Sequence, residues 1–268
     1  MSLLQIEALS LRVETREAER QLLDGVHLRV ERGESVGLIG ESGSGKSLTC
    51  RTVNRLHPPS LITSGSVRFE GREVLDMAPR ELMRYRASEV SMIFQDPRAH
   101  INPIHTIGDF LTEGLRKLEG VGRFDANARA RGVLGSVGID DAQRRLNQYP
   151  HELSGGLLQR IMIGAVLLAG PKLILADEPT TALDVTTQEE VVAILAELRE
   201  QSGLSMIFVT HDLDLASAVC DRLVVMNQGE VVEEIDDARA LNAARHPYTQ
   251  QLIASRIPFR YNPEEPIS

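Results

Sequence analysis

Tryptophan is absent from this chain of 268 residues, aromatic residues make up 4%, and the only cysteines are Cys50 and Cys220. Two thiols far apart in sequence, each inside an apolar or helical stretch, build neither a disulfide scaffold nor a four-ligand zinc cluster. That usage suits a reducing cytoplasm. Long apolar runs are missing too: the longest, Ile161–Gly170, is about half of the roughly 20 residues that a membrane-spanning helix needs. No excess of positive charge exists either. With 29 Lys+Arg against 38 Asp+Glu the net charge is −9, which argues against a broad sequence-independent nucleic-acid surface and leaves room only for a local basic groove. The N-terminal stretch has no basic segment followed by an apolar one, so no secretory signal is expected. Repeats and low-complexity tracts are lacking as well. What remains, 42% hydrophobic and 25% charged residues, is the composition of a globular protein with a sizeable core. The length admits one large α/β domain with an insertion, or two domains.

From Leu3 to Val30 apolar and polar residues alternate, which predicts antiparallel strands with one buried face. Val36–Ile39 then forms a short apolar run that ends in a glycine-rich turn and continues into a helix over SLTCRTVNRL; strands resume between Ser64 and Val74. Residues 98–150 read as a helical insertion, from amphipathic stretches such as IGDFLTEGLRKL. After it, LLQRIMIGAVLLA predicts a buried helix, KLILADEP a buried strand, TTQEEVVAILAELREQSG a helix closed by Gly203, and SMIFVTH another buried strand. Strand alternating with helix implies a parallel sheet. The tail, RYNPEEPIS, is expected to be frayed.

Gly40, Glu41, Ser42, Gly43, Ser44, Gly45, Lys46 and Ser47 fit the pattern G-x-x-x-x-G-K-[ST] between a buried strand and a helix. Gly43 and Gly45 let backbone N–H groups turn inward around phosphates, the helix adds its positive N-terminus, and Lys46 reaches the β and γ oxygens of a nucleotide. Ser47 then ligates Mg²⁺. Hydrolysis needs more: a carboxylate for the metal and a base. Asp177 follows four apolar residues and emerges at a strand end, where it can hold Mg²⁺. Glu178 is next. Adjacent strand residues point to opposite sides, so Glu178 is assigned the different task of polarising the attacking water.

LSGG at Leu153–Gly156, lying between these two motifs, makes the chain resemble the ABC-type ATPases. The resemblance implies a P-loop NTPase (RecA-like) α/β core with an N-terminal antiparallel β subdomain and an inserted α-helical subdomain. On that pattern residues 1–255 form one nucleotide-binding domain, with the core over 1–97 and 158–240 and the helical part over about 98–157; residues 241–268 form a C-terminal extension. The resemblance further implies that Ser154, Gly155 and Gly156 contact ATP held by a second subunit. Gln95 would sense Mg²⁺ and the attacking water, Ala182, Leu183 and Asp184 would cross the dimer interface, and His211 would touch the γ-phosphate. SMIFQDPRAHINPIHTIG, YPHELSGG and HPYTQQL narrow the resemblance to the ATPases of peptide and nickel importers. In those systems ATP and Mg²⁺ drive two such subunits beneath two membrane permeases, fed by an extracytoplasmic solute-binding protein. The implied location is peripheral, on the cytoplasmic face of the inner membrane. The pair is either two copies of this chain or, by the family's habit, this chain with a related one. No nucleic-acid partner is implied.

Three departures from the family pattern stand out. No Phe or Tyr occurs before Phe69, so the usual aromatic partner of adenine is missing and Val13 stands in its neighbourhood; Arg16 or Arg20 offers stacking instead. Leu157 replaces the usual polar residue or methionine after LSGG, and with Leu158 suggests packing against a neighbouring helix. No cysteine follows HPYTQQL, so the iron–sulfur cluster found in some relatives cannot form there. Ile101, Ile104, Ile107 and Phe110 recur at roughly helical spacing and form either an apolar docking face for a permease helix or the core of the insertion. A rival function is the ATPase subunit of a soluble phosphonate-degrading complex. ABC ATPases of DNA repair or translation carry coiled coils, zinc ligands or tandem cassettes, none of which occurs here.

Overall fold

The computed structural model describes residues 2–14, 18–181 and 183–255. Arg16, Ala182 and the tail beyond Ser255, all singled out above, lie outside them. The chain divides into two compact units, Met1–Leu75 with Met206–Ser268, and Asp76–Ser205.

The first unit opens with β1 (Leu4–Glu14) and β2 (Glu19–Val30), paired antiparallel with Leu4 opposite Val30. Alternation does what the sequence implies: Leu4, Ile6, Leu9 and Leu11 are buried. The phase slips once, at Ala8, which takes a φ of 47° where the register shifts. Gly65 faces this bulge, and a Cβ there would lie 2.4 Å from the Ala8 carbonyl oxygen. β3 (Ser35–Ile39), buried at all five residues, leads into α1 (Lys46–Val53). β4 (Ile62–Phe69) and β5 (Arg72–Glu73) complete an antiparallel sheet of order β2-β1-β4-β5.

The second unit runs α2 (Pro79–Ser88), β6 (Val90–Ile93), α3 (Pro97–His100), α4 (Ile107–Lys117), α5 (Arg123–Ser136), α6 (Ala142–Leu146), α7 (Gly155–Ala169), β7 (Leu173–Asp177) and α8 (Val185–Ser202). β6 and β7 pair in parallel, with Ile93 opposite Ala176. α5 packs on α7, where Gly164 lets Val133 and Leu134 approach closely. α8 stops at Gly203, whose φ of 60° supplies the left-handed cap expected from the sequence.

The chain then returns to the first unit with β8 (Ser205–Thr210), α9 (Leu213–Val219), β9 (Arg222–Asn227), β10 (Glu230–Ile235) and α10 (Pro247–Ala254). β3 lies parallel to both β8 and β9, with Ile39 opposite Thr210 and Gly37 opposite Leu223, and β10 turns back antiparallel on β9. The fold is thus α/β with an antiparallel β subdomain and an added set of helices. No helix among the described residues is long and apolar enough to cross a membrane.

Parallel strands covered on both faces make the core unforgiving. Phe208 on β8 is fully buried, so Phe208→Ala is expected to cost about 3–5 kcal/mol. A urea titration followed by far-UV circular dichroism measures it. A midpoint unchanged from wild type would contradict the assignment of this strand to the core.

Candidate functional site

In the first unit the phosphate loop grows out of the C-terminal end of β3. Gly40, Gly43 and Gly45 take φ values of 148°, 81° and 106°, which side-chain-bearing residues rarely adopt. Two of them also answer to close neighbours. A Cβ on Gly40 would lie 2.2 Å from the Met226 carbonyl oxygen, and one on Gly45 would lie 2.5 Å from Leu23 Cδ2. At Gly43 nothing lies within 4 Å, so the mouth of the loop is open. Lys46 is 4% exposed, and its ammonium donates to the carbonyl oxygens of Gly40 (2.7 Å) and Glu41 (2.8 Å) and to Ser44 Oγ (3.4 Å). The loop therefore holds a cation inside a ring of backbone at the start of α1, the chemistry that receives a polyphosphate.

The β9–β10 hairpin braces this loop, a support that sequence reading did not anticipate. At its turn Gln228 and Gly229 have φ of 49° and 90°. The Gly229 amide donates to the Ser44 carbonyl at 3.0 Å, while its own carbonyl accepts from the Asp24 amide at 2.9 Å. The Asn227–Gly229 stretch marks a hairpin turn in the sequence, but nothing local says what the turn touches. His211 directly follows Thr210, which stands opposite Ile39; it leaves the sheet at the edge where the phosphate loop begins. Its exposed position is fixed by the next turn. The Asp212 amide donates to Thr210 Oγ1 (3.0 Å), and the Asp212 carboxylate caps α9 by accepting from the Asp214 and Leu215 amides.

In the second unit β6 and β7 end side by side, bringing Gln95 and the acidic pair to one edge. Asp177, the last residue of β7, is 1% exposed. Glu178 leaves the strand with a φ of 46°, a left-handed conformation costing a non-glycine residue on the order of 1–2 kcal/mol. Sequence reading separated the two acids by strand alternation; in the structure Asp177 is buried at the strand end and Glu178, half-buried, follows it through this bend. The Glu178 carboxylate accepts from Gln95 Nε2 at 3.0 Å and from Thr181 Oγ1 at 2.8 Å, both on Oε2. Thr181 carried no signal of its own in the sequence. Behind Gln95, Phe94 stacks on His100 with ring centroids 3.7 Å apart and donates its amide to Met162 Sδ.

Ser154 caps α7, its Oγ accepting from the Leu157 amide at 3.3 Å. Asp184 caps α8 in the same way, accepting from the Thr187 amide (3.0 Å) and the Thr187 hydroxyl (2.9 Å). Those bonds, the amide first, hold its carboxyl below the usual aspartate range. The two helix starts meet, since a Cβ on Gly156 would lie 2.8 Å from Thr187 Cγ2. Gly155, by contrast, has nothing within 4 Å of such a position. Leu158 is core and Leu157 half-buried.

The apolar stripe of the insertion needs correction as a docking face. Ile101 and Ile107 are 1% and 0% exposed, whereas Ile104 is 76% exposed and Phe110 half-buried. The helical spacing fails because Asn102–Thr106 is a loop between α3 and α4, so the four side chains do not share one helix face. Phe110 instead joins Met83, Leu111, Leu118 and Leu168 in lining a groove of about 500 Å³.

A family model described as ABC transporter matches residues 23–181. The oligopeptide transport ATP-binding protein OppD of Bacillus subtilis is 39% identical over 268 residues, spanning 99% of this chain and 75% of the relative. The dipeptide transport ATP-binding protein DppD of Escherichia coli is 37% identical over 265 residues, spanning 98% and 81%. Among solved structures, the ATP-binding cassette MJ0796, a dimer bound to ADP and Pi, superposes with a TM-score of 0.78 at 28% identity over 87% of this chain and 98% of that one. CbiO1 of Clostridium perfringens, part of the ABC transporter complex cbiONQ, gives 0.73 at 25% identity over 95% and 91%. The chain belongs to the ABC transporter family and has its P-loop NTPase fold. Within that family it is an ATP-hydrolysing subunit.

Proposed function

We propose that this subunit powers import of peptides through partner permeases. The names of the relatives spanning nearly the whole chain support peptide as the solute class. The observation that carries the mechanism is Glu178, a strand-end carboxylate bent out of its strand and held by Gln95 and Thr181. In this reading the phosphate loop, with Lys46 at its centre, binds the β- and γ-phosphates of ATP. Glu178 accepts the proton of the attacking water, Gln95 orients that water, and His211 hydrogen-bonds the γ-phosphate. Ser47, Asp177 and Gln95 offer hard oxygen donors that suit Mg²⁺; such a cation would offset phosphate charge.

The remaining roles follow the same reading. Residues 1–255 act as one nucleotide-binding domain, with 98–157 as its helical part and 241–268 as an extension. Ser154, Gly155, Gly156 and Asp184 serve the nucleotide of a second ATPase subunit, a related chain or a second copy, with the α7 N-terminus directed at its phosphate. The assembly sits peripherally on the cytoplasmic face of the inner membrane, beneath two permeases supplied by an extracytoplasmic solute-binding protein. Ile104 and the groove lined by Met83 and Phe110 receive the permease. Adenine is held without an aromatic from β1.

Vesicles carrying the permeases and the ATPase pair are expected to take up a labelled oligopeptide only with ATP on the ATPase side. Uptake of nickel and not of peptide would overturn the solute assignment. Ile104→Asp, at a residue already 76% exposed, is expected to fold normally, to bind ATP within about twofold of wild type, and to reduce uptake at least about tenfold, since a buried unpaired carboxylate at an apolar contact costs several kcal/mol. Uptake at the wild-type rate would show that this face docks nothing.

A further inference from the structure

The C-terminal segment HPYTQQL has no part in the chemistry above, yet it reaches the phosphate loop. Tyr248, at the start of α10, places its phenol oxygen 3.0 Å from the backbone amide of Glu41, which donates to it. That amide belongs to the Gly40–Glu41 peptide group, whose carbonyl, the Gly40 oxygen, accepts from the Lys46 ammonium at 2.7 Å. A trans peptide group is rigid and planar with its N–H and C=O pointing opposite ways. One plane is therefore gripped from one side by Tyr248 and from the other by Lys46. The grip has work to do, because Gly40, with a φ of 148°, offers little intrinsic resistance to rotation of this plane.

The phenol is held in turn. Glu233 on β10 accepts from the Arg245 amide (2.6 Å) and the His246 amide (3.2 Å), and the ring of His246 caps α10 by accepting from the Tyr248 amide at 3.3 Å. Partial burial pushes the Glu233 carboxyl up, but hydrogen bonds, those from these two amides among them, bring it below its usual range. β10 follows the hairpin turn whose Gly229 amide supports Ser44. A single hairpin thus braces the loop twice, directly at Ser44 and, through α10, at Glu41.

We propose that Tyr248 is a positioning residue for Lys46: by fixing the Gly40–Glu41 peptide it fixes the carbonyl that aims the ammonium at the phosphates of ATP. This rests on the ATP-binding reading of the loop. Losing one such hydrogen bond is expected to weaken ATP three- to tenfold, not to abolish binding, because water can satisfy the exposed amide.

The test measures ATP affinity of the full chain by displacement of a fluorescent nucleotide, together with the melting temperature. Tyr248→Phe removes the acceptor and keeps the ring. Its Kd is expected to rise three- to tenfold while Tm stays within about 2 °C of wild type. In the Lys46→Ala background the same substitution should add nothing, since its route runs through the missing ammonium. An unchanged Kd, a fall in Tm without a change in Kd, or a full additional loss in the Lys46→Ala background would each overturn the proposal. If wild type itself binds no ATP, the reading of the loop fails first, and that result is distinct from all three.

Discussion

Lys46→Ala is expected to weaken ATP binding by about a hundredfold or more. The side chain is nearly inaccessible, and its ammonium is centred on the loop by two carbonyls and a hydroxyl. Charge-assisted hydrogen bonds contribute about 1.5–3 kcal/mol each, and a hundredfold in affinity is about 2.7 kcal/mol. A cation that meets two phosphates makes at least two such bonds. Alanine also leaves the Gly40 and Glu41 carbonyls facing the incoming anion with no charge between them, an unfavourable arrangement that adds to the loss. Tm should move little in the absence of nucleotide, because the glycine conformations and the Met226–Gly229 brace are untouched. Equilibrium titration with a fluorescent ATP analogue checks the expectation, and an affinity within threefold of wild type would contradict it.

Glu178→Gln separates chemistry from binding. The amide is nearly isosteric with the carboxylate and can keep an acceptor toward Gln95 Nε2 and Thr181 Oγ1, so the bend at φ 46° survives. It cannot take a proton from water. General-base catalysis contributes typically about 10²–10⁴-fold, and hydrolysis should fall by that factor while ATP affinity stays within about threefold. The bent backbone gives the position a cost in stability, and such conformations cluster at functional sites. That is why the largest kinetic effect is placed here and not at Asp177, which stays on the regular strand and faces inward.

Much of this was legible in the sequence for a definite reason. Glycines at 40, 43 and 45 with a following lysine solve a backbone problem that few other residues can, so the pattern announces the conformation. The alternation in β1 and β2 and the unbroken apolar runs of β3, β7 and β8 announce their burial in the same way. The insertion was legible as helix but not in its faces: Ile101, Ile107 and Ile104 are chemically alike, and only the loop between α3 and α4 decides that the first two turn inward. Least legible were contacts made at long range. Tyr248 lies 207 residues from Glu41, and neither neighbourhood records the other. The bend at Glu178 was hidden too, since an acidic residue after a strand does not reveal its φ.

The central claim is that Lys46 binds the nucleotide and Glu178 cleaves it. It is tested most directly by measuring bound ATP and released phosphate on the same samples of wild type, Lys46→Ala and Glu178→Gln, each assembled with its ATPase partner. The expected pattern is binding with release for wild type, binding weakened about a hundredfold with little release for Lys46→Ala, and binding without release for Glu178→Gln. Phosphate released by Glu178→Gln at the wild-type rate, or ATP held by Lys46→Ala as tightly as by wild type, would contradict it.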